Sequence, residues 1–469
     1  MIDTNFFNLL KEFVFEIYPL AKEALNKKTF LPPTYDKYPR LLYGEEGLPS
    51  IDEFGDKPKD ISSVFRSYVG KPDIELENYD SFLQCQKYIV QNSYFSKITL
   101  AFYSEDEKQR LYGIKCFLIK IIERYHLLKE DDGNDEILLE KIYAPLEYGA
   151  FNERFYIDIA IPLPYLNFSF DEYCINDKCC IRKISDDYHK ARFFITNSSI
   201  PISNKVISCA SHEFVLKNWY IDSLKGAWLI LFSCDKESYY PIHIFDDFIT
   251  AIKIISNINS GYAQVLIYPH EWACHYNMDL PALEGMAIKK YPGYFENSQW
   301  PEKELPCINI KEITQIGKIF EILQECTENK IRLACKRLRY SFMREDEEDS
   351  ILDIMIALEI LLTDEEKNEV THKLSLRLSK LISLFEPDYD PLVVFKSMKK
   401  IYGYRSKIVH GCHKPKNKSQ ELKENEKGFT EQSKYKDLAN DYLRILIRIL
   451  LNHKEYLDVK EIDKKMIVD

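Results

Sequence analysis

A chain of 469 residues, 45% hydrophobic and 13% aromatic with only 15 glycines, can bury more than one core and does not have the composition of a disordered protein. Its formal net charge of −11 argues against a broad cationic surface that grips nucleic acid, so a nucleic-acid enzyme of this balance needs a local basic patch. No run reaches the roughly 18 uninterrupted apolar residues of a membrane span, and Asp3 close to Met1 with no basic segment beside it argues against a secretory leader. The expected compartment is the cytoplasm, where 12 cysteines behave as small buried hydrophobes.

Along the chain, Phe6, Leu10, Phe13 and Ile17 recur at helical spacing and predict a helix within residues 1 to 27. Prolines 32, 33, 39, 49 and 58 then preclude one long helix and predict loops and short strands. S-K-I-T-L-A-F-Y, residues 96–103, is a predicted strand. Leu111, Ile114, Leu118, Ile121 and Tyr125 form one stripe of a helix over 110–128, and the acidic 131–135 stretch is a turn or exposed loop.

From Phe155 the period shifts toward two. F-Y-I-D-I-A-I-P-L, Y-L-N-F-S-F, A-R-F-F-I-T and G-A-W-L-I-L-F are strand-like, and Asn176-Asp177 suits a hairpin turn. Asp246 or Asp247 is placed to cap a helix running to Ile255, and Y-A-Q-V-L-I-Y after Asn259-Ser260-Gly261 is another strand. Neither Cys174, Cys179 and Cys180 nor His270, Cys274 and His275 makes a paired C-x-x-C arrangement, so no metal site is expected. Prolines 292, 301 and 306 mark a boundary. The expected fold is α+β, with a sheet-rich region 1–305, subdivided near 140–150, followed by an all-α bundle over 306–469. Its helices are predicted at 311–326, 328–344, 347–362, 366–385, 391–411 and 430–453. Between the last two, the charged and apolar-poor run 414–428 predicts a mobile loop near the site proposed below.

Three segments of the bundle carry chemistry-bearing residues in order: I-A-L-E-I-L-L around Glu359, K-L-S-L-R-L-S-K-L-I around Arg377, and I-Y-G-Y-R-S-K-I-V-H-G, with Arg405 and His410 five residues apart. Arginine is a permanent cation, and histidine can accept or donate a proton near neutral pH. On an ideal helix the two sit about 140° apart. They converge if the helix bends or stops near Gly411, or if a second copy supplies its own pair across a two-fold axis. Glu359 and Arg377, each set among leucines, are expected to form a buried ion pair, with a role of Glu359 in orienting Arg405 left open. The helix over 328–344 presents Lys330, Arg332, Lys336, Arg337, Arg339 and Arg344, either as a solvated face or as the missing basic patch.

These segments resemble the HEPN superfamily and, within it, the ApeA-like branch, whose pattern runs from an A-L-E-x-L-L helix through an arginine-bearing helix to Y-x-x-R-S-x-x-x-H-G. The resemblance covers about the last third of the chain. It implies a cytoplasmic homodimeric endoribonuclease with a composite cleft, no metal and no cofactor. Arg405 would clamp phosphate, His410 would act as acid or base, and Ser406 and Lys407 would assist. RNA, tRNA included, would be the substrate, and the setting anti-phage defence with a phage-derived trigger sensed by the N-terminal region. The alternatives are a non-catalytic HEPN module that binds a nucleotide or protein and dimerises, and a scaffold in which the motif only packs a helix.

Overall fold

In the computed structural model, which describes residues 3–28, 38–44, 47–52, 60–66, 71–92, 106–131, 133–152, 154–195, 201–222, 240–297, 305–364, 369–410 and 431–468, the first apolar stripe becomes helix α1 (Thr4–Lys27), capped by Asp3 accepting from the Phe6 amide. Contacts group the chain into two units that interleave in sequence. The first holds Met1–Pro162, Glu172–Tyr239 and Gln264–Ile288, and the second Leu163–Asp171, Tyr240–Ala263 and Lys289–Asp469.

The helical part of the first unit joins α1 to α2 (Asp80–Gln91), α3 (Glu107–Leu128) and α4 (Glu136–Phe151), after the hairpin of β1 (Arg40–Tyr43) and β2 (Pro49–Asp52). Phe6, Phe13, Phe82, Leu118, Tyr125 and Tyr143 share one core. The period gave α1 and α3 but passed over α4. Pro145 lies inside that helix, and a proline there removes an amide bond and breaks the pattern a helix is read from. Gly149 permits close packing at this point, since a Cβ would stand 2.5 Å from the Ala273 carbonyl oxygen.

The remainder of the first unit is built on a six-stranded sheet, β5-β6-β7-β3-β8-β9, from β3 (Arg154–Pro162), β5 (Glu172–Asn176), β6 (Cys179–Lys183), β7 (His212–Asp222), β8 (Tyr262–Pro269) and β9 (Glu284–Lys290). The pairs β3–β7, β3–β8, β5–β6 and β6–β7 are antiparallel, and the turn between β5 and β6 is the Asn176-Asp177 hairpin. The predicted strand A-R-F-F-I-T is corrected. Its first two residues end helix α5 (Asp186–Arg192), because Arg192 is fully buried and bonds to Ile207, Ser208 and Gln264. A short helix α6 (Asn204–Ser208) supplies two of those acceptors. The strands expected at 96–103 and 226–232 lie outside the described residues, as does the loop 414–428.

In the second unit β4 (Asn167–Phe168) pairs in parallel with β10 (Cys307–Ile308). Helix α7 (Ile242–Ser256) packs on α8 (Ile310–Glu325), α9 (Asn329–Met343) and α13 (Glu431–Asn452). Between α9 and α13 come α10 (Glu347–Leu362), α11 (Val370–Phe385) and α12 (Pro391–Val409), and α14 (Val459–Val468) follows α13. The α+β class and the six bundle helices agree with the sequence. The capping role of Asp246 and Asp247 does not, since α7 begins at Ile242 and both carboxylates lie within it. Asp247 accepts from Arg332 at 2.6 Å, and Asp246 accepts from Tyr262 at 3.0 Å. Among the described residues no helix is long and apolar enough to cross a membrane.

Lys253, buried on α7, donates to Asn257 Oδ1 and Asn259 Oδ1, both at 2.7 Å. Burial first, then Arg444, push its pKa down to about 7, against the pull of Asp441 and Asp437. Below that pH the folded and unfolded chains both hold the proton. Between about 7 and the ordinary lysine value of about 10.4 only the unfolded chain does, so this group makes stability rise with pH. The melting temperature of Lys253→Met is therefore expected to climb less than that of the parent between pH 7 and pH 9.5. Parallel curves would contradict the assignment.

Candidate active site in the helical bundle

Helix α12 starts at Asp390, whose carboxylate accepts from the Leu392 amide at 2.8 Å, with Pro391 in the first turn. It buries Val394, Met398, Ile401 and Tyr404. At about 100° per residue, Arg405, Val409, Tyr402, Ser406, His410 and Gly403 fall in order across an arc of about 160°. Arg405 points between the directions of buried Val394 and Met398 and so borders the packed side, while Ser406, His410 and Gly403 point away from it. Arg405 and His410 stand near its two edges and Ser406 lies between them.

His410 is the C-terminal cap of α12. Its amide donates to the Ser406 carbonyl at 3.1 Å, its φ and ψ are −89° and 6°, and it is exposed. The chain therefore leaves helical geometry where the imidazole sits. Lys407 is exposed in the last turn, where a cation suits the helix dipole.

Arg405 is half-buried. Its Nη2 lies 3.7 Å from Glu359 Oε1 on α10, and its guanidinium carbon is 5.7 Å from the centre of the Tyr402 ring. Burial, followed by the charge of Glu359, raises the Tyr402 pKa. At 3.7 Å the pair is an ion pair too long for a hydrogen bond. Glu359 Oε1 and Arg405 Nε are each buried without a hydrogen-bond partner, a state that costs about 1–3 kcal/mol per group. The guanidinium is thus held by charge from behind, while its donors are not used up by the protein. The Nε–H is closed off from solvent, so an incoming phosphate oxygen would meet only the part of the guanidinium that remains exposed.

The expected Glu359–Arg377 pair is overturned. Arg377 is bound through Nε and Nη2 to both carboxylate oxygens of Asp463 on α14 at 2.8 and 2.7 Å, to Asp364 at 2.8 Å, and to the Leu362 carbonyl at 2.8 Å. It clasps three elements together, and Glu359 serves Arg405 instead. The arginines of the basic helix α9 do not form a free patch, while its Lys330 and Lys336 are solvent-exposed as on a solvated face. Arg337 and Arg344 both bind the buried carboxylate of Asp353 at 2.6 and 3.0 Å, Arg332 binds Asp247, and Arg339 donates to Thr250 Oγ1 at 2.8 Å. These cations hold the bundle together.

A cavity of about 510 Å³ in the same unit is lined by Lys253, Tyr294, Phe342, Arg344, Glu347 and Asn440 among others, and by none of the Arg405 to His410 residues. The motif occupies an open helix face. Leu392 and Val409, 65% and 52% exposed, extend that open face along α12, and Gly403 has nothing within 4 Å of where a Cβ would stand. A helix-interior glycine costs about 1 kcal/mol against alanine, and no packing among the described residues explains it. No protein-family profile, curated protein or solved structure matches this chain.

Proposed function

We propose that the second unit is a HEPN-type endoribonuclease that works as a homodimer, with α12 and its copy forming one cleft. The observation that carries this reading is the placement of Arg405. A guanidinium held beside Glu359 and 26% exposed stands at the border of the packed side, at one edge of the arc of α12 that also carries Ser406 and the exposed His410. The apolar residues exposed along this sector, Leu392 and Val409, and the vacant space at Gly403 support a second copy as its cover.

In the proposed reaction a histidine accepts the proton of a ribose 2′-OH, and the oxygen attacks the adjacent phosphorus. The P–O5′ bond breaks as the leaving oxygen takes up a proton, giving a 2′,3′-cyclic phosphate and a 5′-OH. Arg405 bears the charge that develops on the phosphoryl oxygens. Ser406, between the two groups on the helix, is placed to donate to the same phosphate. The step needs a 2′-OH, so DNA should be inert. The first unit would recognise the RNA or a phage-derived trigger and restrain the nuclease until then.

Expression of the wild-type chain in a bacterial host is expected to arrest growth, whereas His410→Ala is expected to be tolerated at the same protein level and melting temperature. His410 is exposed, so the substitution leaves the core untouched. Equal toxicity of the two forms would remove His410 from the mechanism. A harmless wild type, with RNA bound but not cut, would favour the non-catalytic HEPN reading.

A further inference from the structure

Two half-exposed tyrosines stand side by side on the sheet of the first unit. Tyr156 on β3 and Tyr220 on β7 are register partners, 49% and 50% exposed, and directly opposed residues project to the same face with Cβ atoms about 5 Å apart. Along β3 this face changes character. Ala160 is buried with Val215 and Leu266, and Tyr188, Ala191 and Ile195 pack into the same cluster. Two residues earlier Asp158 is part-buried, and two earlier again Tyr156 is open to solvent. Among the described residues, the α5 segment therefore covers one end of the face and leaves the other end uncovered. On the solvated face of an antiparallel sheet, polar side chains are the rule, and packing among the described residues of this unit does not account for two open aromatic rings on adjacent central strands.

Cationic and titratable groups frame the pair. The Arg154 guanidinium lies 4.9 Å over the Tyr220 ring. The amide of His270 donates to the Tyr156 carbonyl at 3.0 Å, and its Nε2 is 3.0 Å from Asp158. Arg182 lies 3.6 Å from Asp158 and 2.8 Å from Glu213, so each of these carboxylates already faces a guanidinium. Open rings with a stacked guanidinium and an adjacent imidazole match what bases and their phosphates require of a protein surface.

We propose that this face binds single-stranded RNA, with two successive bases stacked on Tyr156 and Tyr220 and the backbone phosphates met by Arg154 and His270. RNA is chosen over other ligands because of the nuclease reading, on which the proposal rests to that extent; the aromatic face itself does not depend on it. Stacking tolerates any base, so the surface would hold RNA without choosing its sequence.

The test uses the full chain carrying His410→Ala, so that RNA survives, and follows a fluorescently labelled oligouridine by anisotropy. Loss of stacking in Tyr156→Ala or Tyr220→Ala should weaken binding about tenfold each, and about a hundredfold in the double variant. Phe at both positions should restore affinity, because the ring and not the hydroxyl does the stacking. Arg154→Gln should lower the slope of log affinity against log salt by about 0.7, the value of one phosphate contact on a single strand. Double-alanine protein that binds within about threefold of the parent would overturn the proposal, as would a parent that binds no oligouridine. Parallel cleavage assays on the chain with His410 intact separate the two readings. Tyrosine-dependent binding without cleavage keeps this surface and removes the nuclease, and cleavage with tyrosine-independent binding does the reverse.

Discussion

Replacing Arg405 with alanine is expected to lower single-turnover RNA cleavage by about a hundredfold or more, the usual loss when one preorganised donor to a developing oxyanion is removed. Arg405→Lys should fall nearly as far, because an ammonium retains the charge opposite Glu359 but lacks the planar fork that a guanidinium presents to two phosphate oxygens. The lysine variant also keeps a cation beside the Glu359 carboxylate, so its melting temperature should move by no more than a few degrees. Glu359→Gln holds the shape but releases the guanidinium from its charge partner. It is expected to slow cleavage about tenfold, with the pH profile of the reaction unchanged because in the proposed mechanism the proton-transferring group is still His410. A Glu359→Gln enzyme of full activity would reduce that carboxylate to packing. A fully active Arg405→Lys enzyme would show that charge alone suffices.

The second large effect is on stability. Arg192→Met is expected to destabilise the first unit by about 3–5 kcal/mol, because it leaves several buried acceptors without their donor. The guanidinium is fully buried and donates to the carbonyls of Ile207 and Ser208 and to the side chain of Gln264, with His189 Nδ1 3.2 Å from its Nε. Burial lowers the Arg192 pKa only to about 10, so it stays charged at neutral pH. Burial and the charge of Arg192 press His189 down to about 2, leaving that ring neutral. Denaturant unfolding followed by the tryptophans, with hydrogen exchange across β7 and β8, would report the loss. A change below about 1 kcal/mol would mean that water replaces the lost donors readily.

The bundle was legible because most of its helices have an apolar stripe and a polar back, and such stripes survive from sequence to structure within a few residues; α10 is instead apolar on nearly every side and packs against helices all round. Periodicity assigns a face to each side chain but not the helix that meets that face, and the Glu359 error arose there. Helix α10 contacts α11 and α12; the sequence pointed to Arg377 on the first, while the structure puts Glu359 beside Arg405 on the second. Arg377 turns instead to Asp463 on the final helix, 86 residues away. The same limit explains α9, whose run of arginines resembled a surface patch until its carboxylate partners, Asp247 and Asp353, came into view from neighbouring helices.

Elsewhere local chemistry misled. Asp246 and Asp247 looked like capping residues, yet they are interior carboxylates answered by arginines. Helix α7 belongs with the bundle although 53 residues of chain separate its last residue, Ser256, from the first residue of α8, Ile310. A fragment cut at 305 would lose the buried face of Phe245, Phe248 and Ile252. The open tyrosines did leave a trace. In R-F-Y-I-D-I-A the period of two places Tyr156 in the polar phase with Arg154 and Asp158, where an aromatic residue is out of keeping with its neighbours.

The most direct test of the central claim is to incubate purified wild-type protein and His410→Ala with total RNA in EDTA and to determine the chemistry of the fragment ends. The account predicts cleavage by the wild type alone, leaving 2′,3′-cyclic phosphate and 5′-OH ends. Fragments with 5′-phosphate ends, or equal cutting by His410→Ala, would contradict it.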